Sequence, residues 1–431
     1  MHSPVERLKD EFRHLVVVPL TDTTREVDFT TLPRVVAIPQ GLCWKDQDYK
    51  AGSCLDLPKQ VVGWRCRVSK SLRLAVLTFV VCAFLSFQLL AQSAAISNAA
   101  AKPTLVKQQS GTKNRLQAIS PVDERVVWAS GVGGTYVLTT DGGKHWEAHV
   151  VPGAEALQFR DVQGVSATVA YLLSAGTGTD ARIYKTEDGG KTWKLQFQNE
   201  DPNAFYDCFA FWNPMRGLTM ADAVNGRFPV VRTTNGHTWK DIGDKLPPAL
   251  PGEAAFAASG TCVATQGKKR AWIGTGGASE ARILATTNGG NTWNAYSTPI
   301  IQGTSTSGVI SVDFRDAWHG VLGGGEILAP DNFSNNVARS SDGGKTWQLA
   351  TPTPFPGAIY GLSYASTASR REASQSRTVV ATGPSGAAWT LDEGDTWSLL
   401  PGLVNYWAVA FATPKVGWLV GTEGRIVKIT F

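Results

Sequence analysis

The sequence predicts an all-β fold, a seven-bladed β-propeller, on three observations. A short segment ending in tryptophan recurs six times at near-constant spacing. Between the recurrences lie short strand-like runs separated by glycine-bearing turns. The 44 glycines and 15 tryptophans among 431 residues suit such an array, which needs many tight turns and one recurring packing position.

The six segments are TTDGGKHW (Thr139–Trp146), TEDGGKTW (Thr186–Trp193), TTNGHTW (Thr233–Trp239), TTNGGNTW (Thr286–Trp293), SSDGGKTW (Ser340–Trp347) and TLDEGDTW (Thr390–Trp397). Their tryptophans are 47, 46, 54, 54 and 50 residues apart, a period that suits a four-stranded blade. The residue types dictate a hairpin turn. Asp141, Asp188, Asn235, Asn288, Asp342 and Asp392 can accept bonds from nearby backbone N–H groups, and the glycine that follows supplies positive φ. Trp146, Trp193, Trp239, Trp293, Trp347 and Trp397 then open the next strand and are expected to wedge between blades. The third segment is one residue short, so its turn should be tighter. Repetition of the acidic position in blade after blade favours a structural role over catalysis.

Each unit reads as four strands. The second unit, for example, gives DVQGVS, VAYLLSAG, ARIYKTE and WKLQFQ. The seventh unit ends at Phe431 without a fourth strand. Leu105–Gln109, ahead of the first unit, has the pattern of the missing strand and would close the ring, leaving no exposed sheet edge.

Before the repeats, Leu74 to Ala91 carries no charge. Arg65, Arg67, Lys70 and Arg73 precede it, and Ser93, Ala94 and Ala95 follow. Residues 68–95 therefore read as a signal peptide or, by length, a membrane anchor. Either way the chain after about residue 96 is expected outside the cytoplasm, periplasmic or secreted, with membrane contact only through this segment if it stays uncleaved. Residues 1–67 are an uncertain extension. The reading is that the start lies at Val68; the alternative is a short cytoplasmic tail on an anchored protein. Val81 before Cys82 argues against a lipoprotein site.

The net charge is +5, of which +3 falls in residues 1–95 and +2 in the rest, so the repeats carry no mark of a nucleic-acid binder. Cys43, Cys54 and Cys66 lie in the tail. Cys208 and Cys262 lie in the repeats, where they align in different columns and are expected as two buried thiols rather than a disulfide. No cysteine or histidine spacing suits a metal, and no GxGxxG strand–helix unit or CxxCH occurs, so no metal and no cofactor is expected. His145 and His237 sit within the turns.

The pattern S/T-x-D-x-G-x-T-W is the Asp-box, or BNR, motif of sialidases, sortilin-type receptors and the photosystem II assembly/stability factors. Residues 103–431 resemble the last family most, through LVKQQSGTKNRLQAIS, FYDCFAFW, GEAAFAASGT and VGWLVGTEGRIVKITF. The resemblance implies a seven-bladed, lumenal or periplasmic, non-enzymatic factor that binds protein and assists assembly of a membrane complex. The arginine-rich patch of photosynthetic members has no obvious counterpart, and the basic stretch Ser369–Arg377 reads as a solvated loop.

Connectivity puts the six turns on one face and the starts of the innermost strands on the other, around the channel mouth. Aligned by repeat, those strands begin at Arg115, Asp161, Asp207, Ala254, Val309, Tyr360 and Trp407, preceded in places by Arg160, Tyr206, Glu253 and Tyr406. Asp222 and Arg227 lie in the loop ADAVNGRF on the same face, and Glu326 and Asp331 in GGGEILAPDNFSNN. Arg115, Arg160, Asp161, Tyr206, Asp207, Asp222, Arg227, Glu253, Tyr360 and Trp407 are therefore the candidate partner- or ligand-binding residues, with no catalytic residue assigned. The competing reading is a sialidase-like glycoside hydrolase, which would gather three arginines around one anion beside Tyr206. The Phe/Tyr-Arg-Ile-Pro motif of sialidases is missing.

Overall fold

A computed structural model describes residues 102–333, 335–367 and 374–431. The expected export segment 68–95, the extension 1–67, Cys82 and residues 369–373 of the basic stretch lie outside them. Among the described residues, seven antiparallel sheets form, six of four strands and one of five. The first blade runs Leu116–Pro121, Val127–Gly131, Thr135–Thr139 and Glu147–Val150 from the channel outward. The fifth strand of blade three is the two-residue Gly176–Thr177, lent by blade two.

Closure occurs as the sequence predicts. Blade seven contributes Tyr406–Phe411, Val416–Gly421 and Arg425–Thr430. Thr104–Gln109 pairs antiparallel with the last of these, from Thr104 opposite Thr430 to Gln109 opposite Arg425. Gln108 fastens the seam: its Oε1 accepts Trp146 Nε1 of blade one at 3.0 Å and Trp418 Nε1 of blade seven at 3.1 Å.

The repeat turns follow from local hydrogen bonding. In the first, Thr139 Oγ1 donates to Asp141 Oδ1 and accepts Gly143 N–H, while Asp141 Oδ1 accepts His145 N–H. In the fourth, Asn288 Oδ1 accepts Asn291 N–H and Thr292 N–H. The short third turn is tighter by one residue: Thr233 Oγ1 accepts from Gly236, three residues on, where its counterparts accept from four on.

The core lies between blades. Leu116, Val127 and Trp146 of blade one pack with Ala408, Trp418 and Val420 of blade seven, and comparable clusters fill the other six interfaces. Trp347 packs on Phe314 at 5.9 Å between ring centroids, and Phe314 stacks on Trp272 of the neighbouring blade. Fully buried aromatics of the second strands also bond the next blade: Trp128 Nε1 donates to Ser166 O, Tyr171 Oη to Pro214 O, and Trp272 Nε1 to Gly343 O, all within 2.8–2.9 Å. These links satisfy polar atoms that burial would otherwise strand.

Blade four departs from the sequence reading. Its innermost strand is Val263–Gln266, not a strand beginning at Ala254. The preceding segment, 254–261, crosses the channel instead. Ala257 O accepts Arg160 Nη1 of blade two, Ser259 Oγ donates to Tyr360 O of blade six, and Thr261 Oγ1 and Ser311 Oγ of blade five bond at 2.7 Å.

That shift also corrects the cysteines. Cys208 and Cys262 form a disulfide, with Cα atoms 6.1 Å apart. Cys208 pairs with Met220 just after a bulge, and Cys262 O accepts Gly274 N–H on the rung before the Val263–Ile273 pair. With 254–261 outside the repeat, Cys262 stands directly ahead of the innermost strand of blade four, where it reaches Cys208 on the innermost strand of blade three.

Candidate functional site

Five innermost strands carry a register shift near their start, between Leu116 and Ala118, Phe159 and Asp161, Tyr206 and Cys208, Val309 and Ser311, and Tyr406 and Ala408. The extra residues are Gln117, Arg160, Asp207, Ile310 and Trp407. A bulge leaves its residue outside the ladder and re-aims its side chain. The repeat alignment was one or two residues off in three blades, taking Arg115, Asp161 and Val309 for these places.

The structure brings Arg115, Arg160, Asp207, Asp222, Tyr360 and Trp407 together. The Arg115 guanidinium lies 4.6 Å from the Trp407 ring centroid, and Tyr360 meets that ring edge-on at 4.9 Å. Arg160 donates through Nε and Nη2 to Gln158 Oε1 at 3.2 and 2.9 Å. Burial lowers the pKa of both arginines, and the Arg115 charge lowers that of Arg160 further.

Asp207 and Asp222 face each other as a carboxyl pair. Asp207 is 1% exposed, and its Oδ2 meets no N–H or hydroxyl donor. Burial, and then the Asp222 carboxyl, push Asp207 well above the usual carboxylate range. Burial likewise pushes Asp222 up to about 6, against the bond its Oδ1 accepts from Ala255 N–H at 3.0 Å. Two acids this close hold one proton between them. Asp207 is also bonded by the Ala257 N–H, so the pair clasps the crossing segment.

Four predicted residues are placed elsewhere. Asp161 is fully buried, and its two oxygens accept Val162 N–H and Phe209 N–H at 2.8 Å, tying blade two to blade three. Glu253 is sealed in blade four by Arg282, Thr275 Oγ1 and Leu250 N–H. Arg227 turns outward to Asp241 and Asp244, at 2.6 and 2.7 Å. Tyr206 is buried between blades two and three against Phe197. The three-arginine arrangement of the glycosidase reading is thus not formed: Arg227 is bound to its own blade and Tyr206 lies in the core. The Asp207–Asp222 pair cannot flank a scissile bond while Ala255 and Ala257 occupy it.

Sequence reasoning missed Gln117, the crossing segment and the hydroxyl chain Ser259–Thr261–Ser311. The 54-residue interval between Trp239 and Trp293, against 47 and 46 before it, was the available signal for inserted residues. Behind the crossing segment the channel keeps a chamber of about 360 Å³, reaching Pro121, Gly164 and Phe411 at the far strand ends. Among the described residues no cluster of three or more His, Cys, Asp or Glu side chains could hold a metal ion.

No family model matches the chain, and no curated protein matches it in sequence. Solved structures do resemble it. "YCF48 bound to D1 peptide" is 16% identical with a TM-score of 0.52, covering 76% of this chain and 97% of that one. YCF48 from Cyanidioschyzon merolae is 18% identical at 0.52, covering 76% and 98%. The GH74 xyloglucanase from Xanthomonas campestris is 13% identical at 0.52, covering 75% of this chain and 53% of that one. At these identities the likeness is one of fold: the chain is a seven-bladed β-propeller, as the YCF48 structures are.

Proposed function

We propose that the chain is a non-catalytic, exported propeller that binds a protein partner through its channel-mouth face, as an assembly factor would. One observation carries the reading. Among the described residues neither Arg115 nor Arg160 is in an ion pair; Arg115 lies on the Trp407 ring that Tyr360 meets edge-on, and Arg160 is close enough to feel the Arg115 charge. Tyr360 packs in one cluster with Ile327 of the blade-five loop on which Leu328 and Phe333 stand 77% and 54% exposed. Arginine and aromatic side chains with exposed apolar neighbours are what protein interfaces enrich. The similarity to a YCF48 structure bound to a D1 peptide supports the same reading. The Cys208–Cys262 disulfide supports export, since such bonds persist in oxidising compartments.

The test is affinity capture from host membranes with the full chain as bait. Capture of the same partner is expected with wild type and with Lys345→Glu on the turn face, and loss with Leu328→Glu plus Phe333→Glu. Equal capture by all three baits refutes the mouth-face reading. Turnover of sialosides or xyloglucan by the wild-type chain refutes the non-catalytic one.

A further inference from the structure

We infer that Arg115 and Arg160 form a binding site for a carboxylate at the channel mouth. The inference rests on the reading of the mouth as the binding face and names what it recognises.

Arg115 makes no side-chain hydrogen bond or ion pair among the described residues, yet its Nε is buried. Trp407 Nε1 beside it is buried without an acceptor as well. Among the described residues Arg160 bonds only neutral oxygens, those of Gln158 and Ala257. Two guanidinium groups close enough to repel, plus two N–H donors without protein acceptors, make a cradle suited to an anion. Shape decides which anion. A planar carboxylate matches the guanidinium fork, which can bind it through two parallel bonds, better than a tetrahedral phosphate does. Arg115 is already held over Trp407, 4.6 Å from the ring centroid, so little side-chain freedom is lost on binding. The carboxylate can belong to a free small acid or to a peptide terminus; the chemistry is the same.

The test uses the full chain labelled with ¹⁵N-arginine, following Nε–H signals by NMR. The Arg115 signal is assigned from Arg115→Lys. The probes are sodium acetate, trialanine with a free C-terminus, trialanine amide and inorganic phosphate, at matched ionic strength. Acetate or trialanine should shift the Arg115 signal saturably, and the amide should not. Arg160→Gln should weaken that binding roughly tenfold or more. Arg160→Lys, which keeps the charge and loses the fork, should fall between, and unchanged melting would show that both variants fold. Tighter binding of trialanine than of acetate points to a peptide terminus as the source, and the reverse to a free acid; either supports the site. No saturable shift with any carboxylate, tighter binding of phosphate, or full affinity in Arg160→Gln overturns it. Absence of any saturable carboxylate shift, with partner capture intact in Arg115→Lys and Arg160→Gln, would sink this site while leaving the mouth-face function standing.

Discussion

Raising the pH should destabilise this propeller through one identified group, Asp222, and Asp222→Asn should remove that part of the effect. The folded pKa of Asp222 is pushed up to about 6 from an ordinary 3.8, chiefly by burial. The sign follows. Below about pH 4 both folded and unfolded chains hold the proton, and its contribution is fully present. Between about pH 4 and 6 only the folded chain holds it, so stability falls as pH rises. The difference, roughly two units at 1.36 kcal/mol each, comes to about 3 kcal/mol, a large part of a typical 5–15 kcal/mol. Arg160, the nearest cation, opposes the shift on Asp207 without cancelling it. Asp188, held down to about 2 by Thr192, titrates below this window. The assay is urea unfolding at about pH 4.5, 5.5, 6.5 and 7.5, for wild type and Asp222→Asn. In the variant position 222 no longer titrates, while its amide oxygen can still accept the Ala255 N–H. Because buried Asp161 and Asp207 are also raised, the difference between the two slopes, not the wild-type slope itself, measures Asp222. Parallel slopes would refute the raised pKa of Asp222.

Other perturbations test the frame. Deleting Thr104–Gln109 removes a six-residue ladder and the Gln108 seam, and should cost several kcal/mol; an unchanged melting temperature would sink the closure. Trp347→Ala should cost about 3–5 kcal/mol through its packing between blades four and five, and Asp342→Ala about 1 kcal/mol through its turn bonds, both read by urea midpoints. Replacing Cys208 and Cys262 by alanine opens a loop with a sequence separation of 54, worth about 4 kcal/mol on the chain-entropy account; a loss well under 1 kcal/mol would mean the mouth is held without the bond.

What the sequence made legible is what local chemistry decides. A Thr–Asp–Gly turn closes its hydrogen bonds within five residues, so six copies announce six hairpins. The strand without a partner after Arg425 likewise calls for one elsewhere, and Val106 and Lys107 supply the pattern. The mouth obeys another rule. Whether Arg115 or Gln117 takes the extra place depends on where a bulge falls, and that is set by packing against neighbouring blades. Arg227 reads as a free mouth cation until Asp241 and Asp244, 14 and 17 residues away, fold beside it. Glu253 looks like a rim acid until Arg282 arrives from a later strand. Cys208 and Cys262 seem mismatched because an insertion changes the count between them. Each miss is a non-local pairing that periodicity cannot encode.

The departures from the repeat also do something the repeat cannot. On the turn face six of the seven blades present the same hairpin, because each turn seats the tryptophan that wedges it against its neighbour. Change there costs the ring. The mouth face has no such duty, so its side chains can differ, but difference without support would leave them loose. Segment 254–261 supplies the support. It joins Arg160 of blade two, Asp207 and Asp222 of blade three, Ser311 of blade five and Tyr360 of blade six, with the Cys208–Cys262 bond fastening its base. The insertion that hid blade four from the repeat alignment is therefore what makes the mouth rigid. A rigid mouth can hold Arg160 near Arg115 against their mutual repulsion, and groups held in place before binding lose less freedom when a partner arrives.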